Sequence, residues 1–177
     1  MNELLIPYWE KLVDQKNLFL AELDTWQEEH RPIKPTEGWS ALQVMEHIMI
    51  AEGGTLAYMK KKTSSGWETL EMSGEEHNTK SKMVNERLQS PERYAAPSVL
   101  KEPQGNFPFE GMKTFWNNQR NDMMNFINSL MPEFYDRLLF RQPNAGLLNL
   151  YQAMEFMTYH IMHHIPQLQR IKAGWEK

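Results

Sequence analysis

The chain has 177 residues, 41% of them hydrophobic and 24% charged, with a formal net charge of -4 and no cysteine. That length suits one domain around one sizeable core, so residues 1–177 are read as a single domain, and the composition excludes a disordered chain. The acidic balance offers no clustered cations to face phosphates, so no nucleic acid partner is expected. Without thiols, disulfide staples, a cysteine nucleophile and thiolate metal sites are all excluded.

At the N-terminus, MNELLIPYWEKL carries neither a basic segment nor a long apolar one. A secretory signal is therefore not expected, and the cytoplasm is the expected location. No apolar run in the chain approaches the roughly 18 residues of a membrane span, so no membrane partner is expected either. A first helix is predicted from about Pro7 to about Glu29, because Leu5, Tyr8, Trp9, Leu12, Phe19, Leu23 and Trp26 recur at helical spacings. Lys16 interrupts this apolar face and is expected to snorkel. His30 reads as an exposed residue or a helix cap, and RPIKPTEG as a loop.

Ser40 and Gln43 match a capping box and announce a second helix. Its inward stripe runs through Ala41, Val44, Met45, Ile48, Ala51 and Met59. His47 lies at the edge of that stripe, beside Ala51 and Gly54, whose small side chains leave room for a metal, a water or a substrate. Taken alone, His47 reads first as a core-edge histidine bonded to a backbone carbonyl. Lys60, Lys61 and Lys62 close the helix where cations oppose its macrodipole.

From Thr63 to Gly111 the periodicity fails, although Glu75 to Leu88 has the look of a short helix. This connector, about 63–111, contains Pro91, Pro97, Pro103 and Pro108, and Phe107 and Phe109 are expected to tuck into a pocket it covers. It far exceeds the usual roughly two to eight residues between bundle neighbours. The helices on either side of it are therefore free to run parallel. His77 is expected to face water.

A third helix is predicted over about Met112 to Leu130. After the loop RQPNAG a fourth follows, from about Leu147 to Lys172, with a bend expected at Pro166. Four amphipathic helices and no sustained period of two give an all-α four-helix bundle. Within the fourth helix, His160 and His164 are four residues apart and share a face, whereas His163 is turned roughly 150° from the apolar stripe, toward solvent. That pair can chelate a metal, and His47 is the candidate third ligand. Three protein nitrogens leave a coordination position open, as catalytic sites do. Each imidazole is expected to donate its other N–H to a second acceptor. Tyr58, Tyr159 and Gln167 are nearby groups able to hydrogen bond.

The pattern W-S-x6-H at Trp39 to His47, followed by H-x-x-H-H-x-x-Q at His160 to Gln167, resembles the DinB/YfiT-like superfamily of metalloenzymes. That resemblance spans nearly the whole chain. It implies an up-down-down-up four-helix bundle in which His47, His160 and His164 bind a divalent metal such as zinc, nickel or iron. It also implies a thiol-transferase or hydrolase acting on a small-molecule substrate, with a low-molecular-weight thiol as cosubstrate, and a homodimer. The other reading is a non-catalytic stress-related or binding protein whose histidines form a structural or vestigial site.

Overall fold

A computed structural model describes residues 1–90 and 101–175. Among these, helices α1 (Ile6–Asp24), α2 (Ala41–Thr63), α3 (Glu75–Gln89), α4 (Phe109–Ser129) and α5 (Leu150–Ala173) are joined by a small antiparallel pair, β1 (Phe140–Gln142) and β2 (Gly146–Leu148). The described residues are thus mostly helical, as expected, with one small two-stranded sheet that the all-α reading did not include. Pro91 and Pro97, read as breakers in the connector, lie outside the described residues.

Helix starts follow the sequence closely because side chains cap them. Ser40 Oγ accepts from Gln43 N at 3.2 Å while Ser40 N donates to Gln43 Oε1 at 3.0 Å, so two backbone donors that the helix leaves free are satisfied reciprocally. Asn149 and Gln152 repeat the device at the start of α5, at 2.9 and 3.1 Å. Helix α1 ends five residues earlier than Glu29 because Arg31 folds back over its last turn, its Nε on Leu23 O at 3.0 Å and its Nη2 on Trp26 O at 2.9 Å. A guanidinium placed there satisfies carbonyls that a longer helix would have bonded internally.

The hairpin was hidden in RQPNAG because each strand is only three residues long. Gln142 holds the turn, its Oε1 accepting from Asn144 N and Ala145 N at 2.6 Å each, and Gly146 takes φ 78°, which favours glycine. Phe140 of β1 then packs on Phe156 of α5 and Tyr58 of α2, with ring centroids 5.9 and 6.1 Å away. Leu147, expected to begin the fourth helix, belongs instead to β2.

Helix α5 packs against α1, α2 and α3, and α2 also packs against α4. Helix α3 is therefore a wall of α5 rather than part of a bare crossover. Its start is closed by His77, whose Nδ1 accepts from Gly74 N at 3.1 Å, so this half-buried ring caps a helix instead of merely facing water. The returning connector is laced to α2, where Glu46 Oε2 accepts from Gln104 N and Gly105 N at 2.8 and 2.6 Å and Gln43 Nε2 donates to Pro103 O at 2.8 Å. Phe109 is buried beneath the Arg31 guanidinium, 4.2 Å from the ring centroid, whereas Phe107, 62% exposed, only borders a cavity between α2 and α4.

A charged centre lies inside this apolar packing. Glu52 of α2 accepts from Trp116 Nε1 at 2.7 Å and Arg120 Nε at 3.0 Å, and pairs again with Arg120 Nη2. Lys16 does not snorkel; it is 7% exposed and donates to Asn117 Oδ1 at 2.6 Å, tying α1 to α4. A buried ion pair contributes little compared with an apolar replacement, but removing one partner leaves the other charge uncompensated. Glu52→Ala should therefore lower the unfolding free energy by about 3–5 kcal/mol in urea titrations. The double replacement Glu52→Met with Arg120→Met should recover most of that loss, and equal destabilisation by both would contradict this account.

Candidate metal centre

Helix α2 presents His47, and α5 presents His160 and His164 on successive turns, as residues four apart in a helix must be. All three are buried, at 3, 8 and 6% exposure. His160 Nε2 lies 3.1 Å from His47 Nε2 and 3.2 Å from His164 Nε2, so three ring nitrogens meet at one point. One ligand atom from each lies within 4.8 Å of the other two, close enough for the three to hold one metal ion. Nitrogens held at about 2.0–2.1 Å around a tetrahedral ion are about 3.3 Å apart, so the observed spacing needs little adjustment.

The surroundings fix the rings. Gln167 Oε1 accepts from His164 Nδ1 at 2.8 Å, which puts the proton on Nδ1 and leaves the Nε2 lone pair facing the cluster. The Phe156 ring stacks on His160, with centroids 5.5 Å apart and planes 11° from parallel, and Trp39 sits 4.9 Å from His47. The expected outer acceptor is present for His164 but not for His160, whose Nδ1 is buried without a partner among the described residues. His163 is excluded from the cluster. It is half-buried rather than turned to solvent, and its Nδ1 donates to Leu88 O of α3 at 2.8 Å.

Of the other groups named from sequence, only Gln167 reaches the histidines. Tyr58 packs on the hairpin, and Tyr159 lines a separate cavity. Phe156 was missed, although its place one turn before His160 on the same face was readable from the spacing. Trp39 was visible only as part of the W-S-x6-H pattern, since ring contact across a helix N-terminus has no local signature.

Burial holds these imidazoles neutral. His47 is lowered to about 4 by desolvation and then by the charge of His163, and His164 to about 3 by desolvation and then by His47, against its hydrogen bond to Gln167, which raises it. His160 is driven well below the ordinary histidine value by burial and then by His164. Neutral rings are the form that ligates metal.

The site and fold define a mostly helical protein with a buried cluster of three histidines able to hold a metal ion. The chain belongs to the DinB superfamily, whose profile matches residues 11–168. None of the curated proteins or solved structures compared with it gave a match. No helix among the described residues is long and apolar enough to cross a membrane.

The depressed values carry a consequence for stability. An unfolded chain takes up protons on these histidines near pH 6.5, whereas the native state resists until about 4 at His47 and about 3 at His164. Stability present above pH 6.5 is thus lost as the pH falls toward those values, by up to about 1.4 kcal/mol per pH unit for each imidazole. Urea unfolding of metal-free protein between neutral and mildly acid pH measures this slope. His47→Gln should make it shallower, and a slope unchanged by that substitution would rule the mechanism out.

Proposed function

We propose that His47, His160 and His164 are the protein ligands of a divalent metal ion, and that the protein is a metal-dependent enzyme of thiol-transferase or hydrolase type. The observation that carries this reading is the meeting of three buried, neutral ring nitrogens at 3.1 and 3.2 Å. Membership of the DinB superfamily supports it. Three nitrogen ligands leave room for a water, a thiol or a substrate oxygen. Bound there, zinc, nickel or iron would supply Lewis acidity, lowering the pKa of a coordinated water or low-molecular-weight thiol.

The chain's own residues have distinct tasks in this scheme. Gln167 holds the His164 proton on Nδ1, so that Nε2 is always the free donor. Phe156 covers one face of His160 and keeps water from its ring. Trp39 stands beside His47 at the start of α2 and limits its swing. The loss of one acceptor, as in Gln167→Leu, should therefore weaken metal binding without abolishing it.

The wider reading has α1, α2, α4 and α5 as an up-down-down-up four-helix bundle forming a single domain. It also has the protein acting on a small molecule in the cytoplasm as a homodimer. The long segment between α2 and α4 supports the bundle order, because a short loop would force those helices antiparallel.

Elemental analysis of protein purified without chelator or added metal tests the proposal, with near-stoichiometric zinc, nickel or iron expected. His160→Ala should lose most of that metal, while His163→Ala should retain it, because His163 is committed to Leu88. Metal binding should raise the melting temperature of wild-type protein, since a ligand specific for the native state stabilises it. Metal-free protein with no such rise on titration with these ions would favour a non-catalytic binding protein instead.

A further inference from the structure

A cavity of about 570 Å³ lies between α1, α3 and α5. Neither α2 nor any of the three clustered histidines lines it. Glu155, which does, is about 180° around α5 from His164 at 100° per residue, so the cavity and the histidines occupy different faces of one helix. The volume falls within the range of small-ligand sites.

Two buried atoms in its wall have nothing to bond. Ser81 is 3% and Asn85 7% exposed, yet Ser81 Oγ and Asn85 Oδ1 have no hydrogen-bond partner among the described residues. They sit four residues apart on α3 and so share the face that lines the cavity. Buried polar atoms are seldom left so, and a pair on one wall marks a place where donors from outside are missing.

The rest of the lining says what kind of donors. Asp136 and Glu155 both border the cavity, and neither carboxylate is in an ion pair among the described residues. Lys82 is the only cation in the lining among the described residues, and Glu86 already stands 3.8 Å from it. The rings of Tyr8 and Tyr151 meet at 5.2 Å and add aromatic faces, which attract cations. An anion would be repelled by this wall, and an apolar molecule would leave Ser81 and Asn85 unpaired.

We propose that this cavity binds a small polyamine-type organic cation, with Glu155 and Asp136 facing its ammonium groups and Ser81 Oγ and Asn85 Oδ1 accepting from its N–H donors. An ammonium head brings three donors and no acceptor, matching a wall rich in acceptors. Burial already disfavours the charged form of the Glu155 carboxyl, and a bound cation would relieve this. The site is independent of any metal at the histidines.

Calorimetric titration of the full chain with spermidine, at about 150 mM salt to screen loose surface binding, tests this directly. One spermidine per chain should bind saturably, with the ring signals of Tyr8 and Tyr151 shifting in NMR spectra. Neutral sorbitol and dianionic succinate should not bind. Glu155→Gln, nearly isosteric, should weaken spermidine by up to about fivefold, the order expected for one charge pair. Asn85→Asp should tighten it, a gain that a misfolded variant could not give. His160→Ala should bind spermidine as wild type does, which separates this site from the metal. Absent saturable binding, equal affinities in wild type, Glu155→Gln and Asn85→Asp, or tyrosine signals that do not move would overturn the proposal.

Discussion

Three uncharged imidazoles crowded at one buried point set the terms for the rest of the structure. Nitrogen lone pairs facing each other at 3.1 and 3.2 Å cannot all be satisfied by one another, because three neutral rings bring only one proton each and His164 has spent its own on Gln167. Removing such a group from water is costly unless a partner meets it. A metal ion at the centre would be that partner for all three at once. The apolar shell of Phe156 and Trp39 keeps the rings dry and neutral, and thus ready to ligate.

Helix α2 connects the two polar centres of the core. His47 and Glu52 are five residues apart, which turns them about 140° from each other around the helix at 100° per residue. One side of α2 therefore faces α5 through His47, and another faces α4 through the Glu52–Arg120 pair. The capping box at Ser40 and Gln43, together with the strap of residues 103–105 bonded to Gln43 and Glu46, fixes the end of the helix nearest His47. Placement of one ring thus depends on contacts made by both faces of its helix.

The helical periodicities of the sequence were enough to place the main helices, and the capping signals at Ser40 located the start of α2 to the residue. The histidine spacing correctly paired His160 with His164 and kept His163 apart, because helical phase is local information. What lay beyond reach depended on partners distant in the chain. The early end of α1 comes from Arg31 folding back, and the hairpin from one glutamine bracing a turn between strands too short to show a period. Lys16 was expected to snorkel because its partner, Asn117, sits on another helix. Glu52 and Arg120 gave no sign of their union for the same reason. His163 was turned toward solvent in the sequence reading because α3 had been counted as connector, whereas α3 covers that flank of α5.

X-ray absorption at the zinc edge of the zinc-loaded protein tests the central claim most directly. The account predicts three imidazole nitrogens at about 2.0–2.1 Å with an oxygen ligand completing the shell. A shell with one imidazole or none, or one left intact when His47 and His160 are replaced, would contradict it.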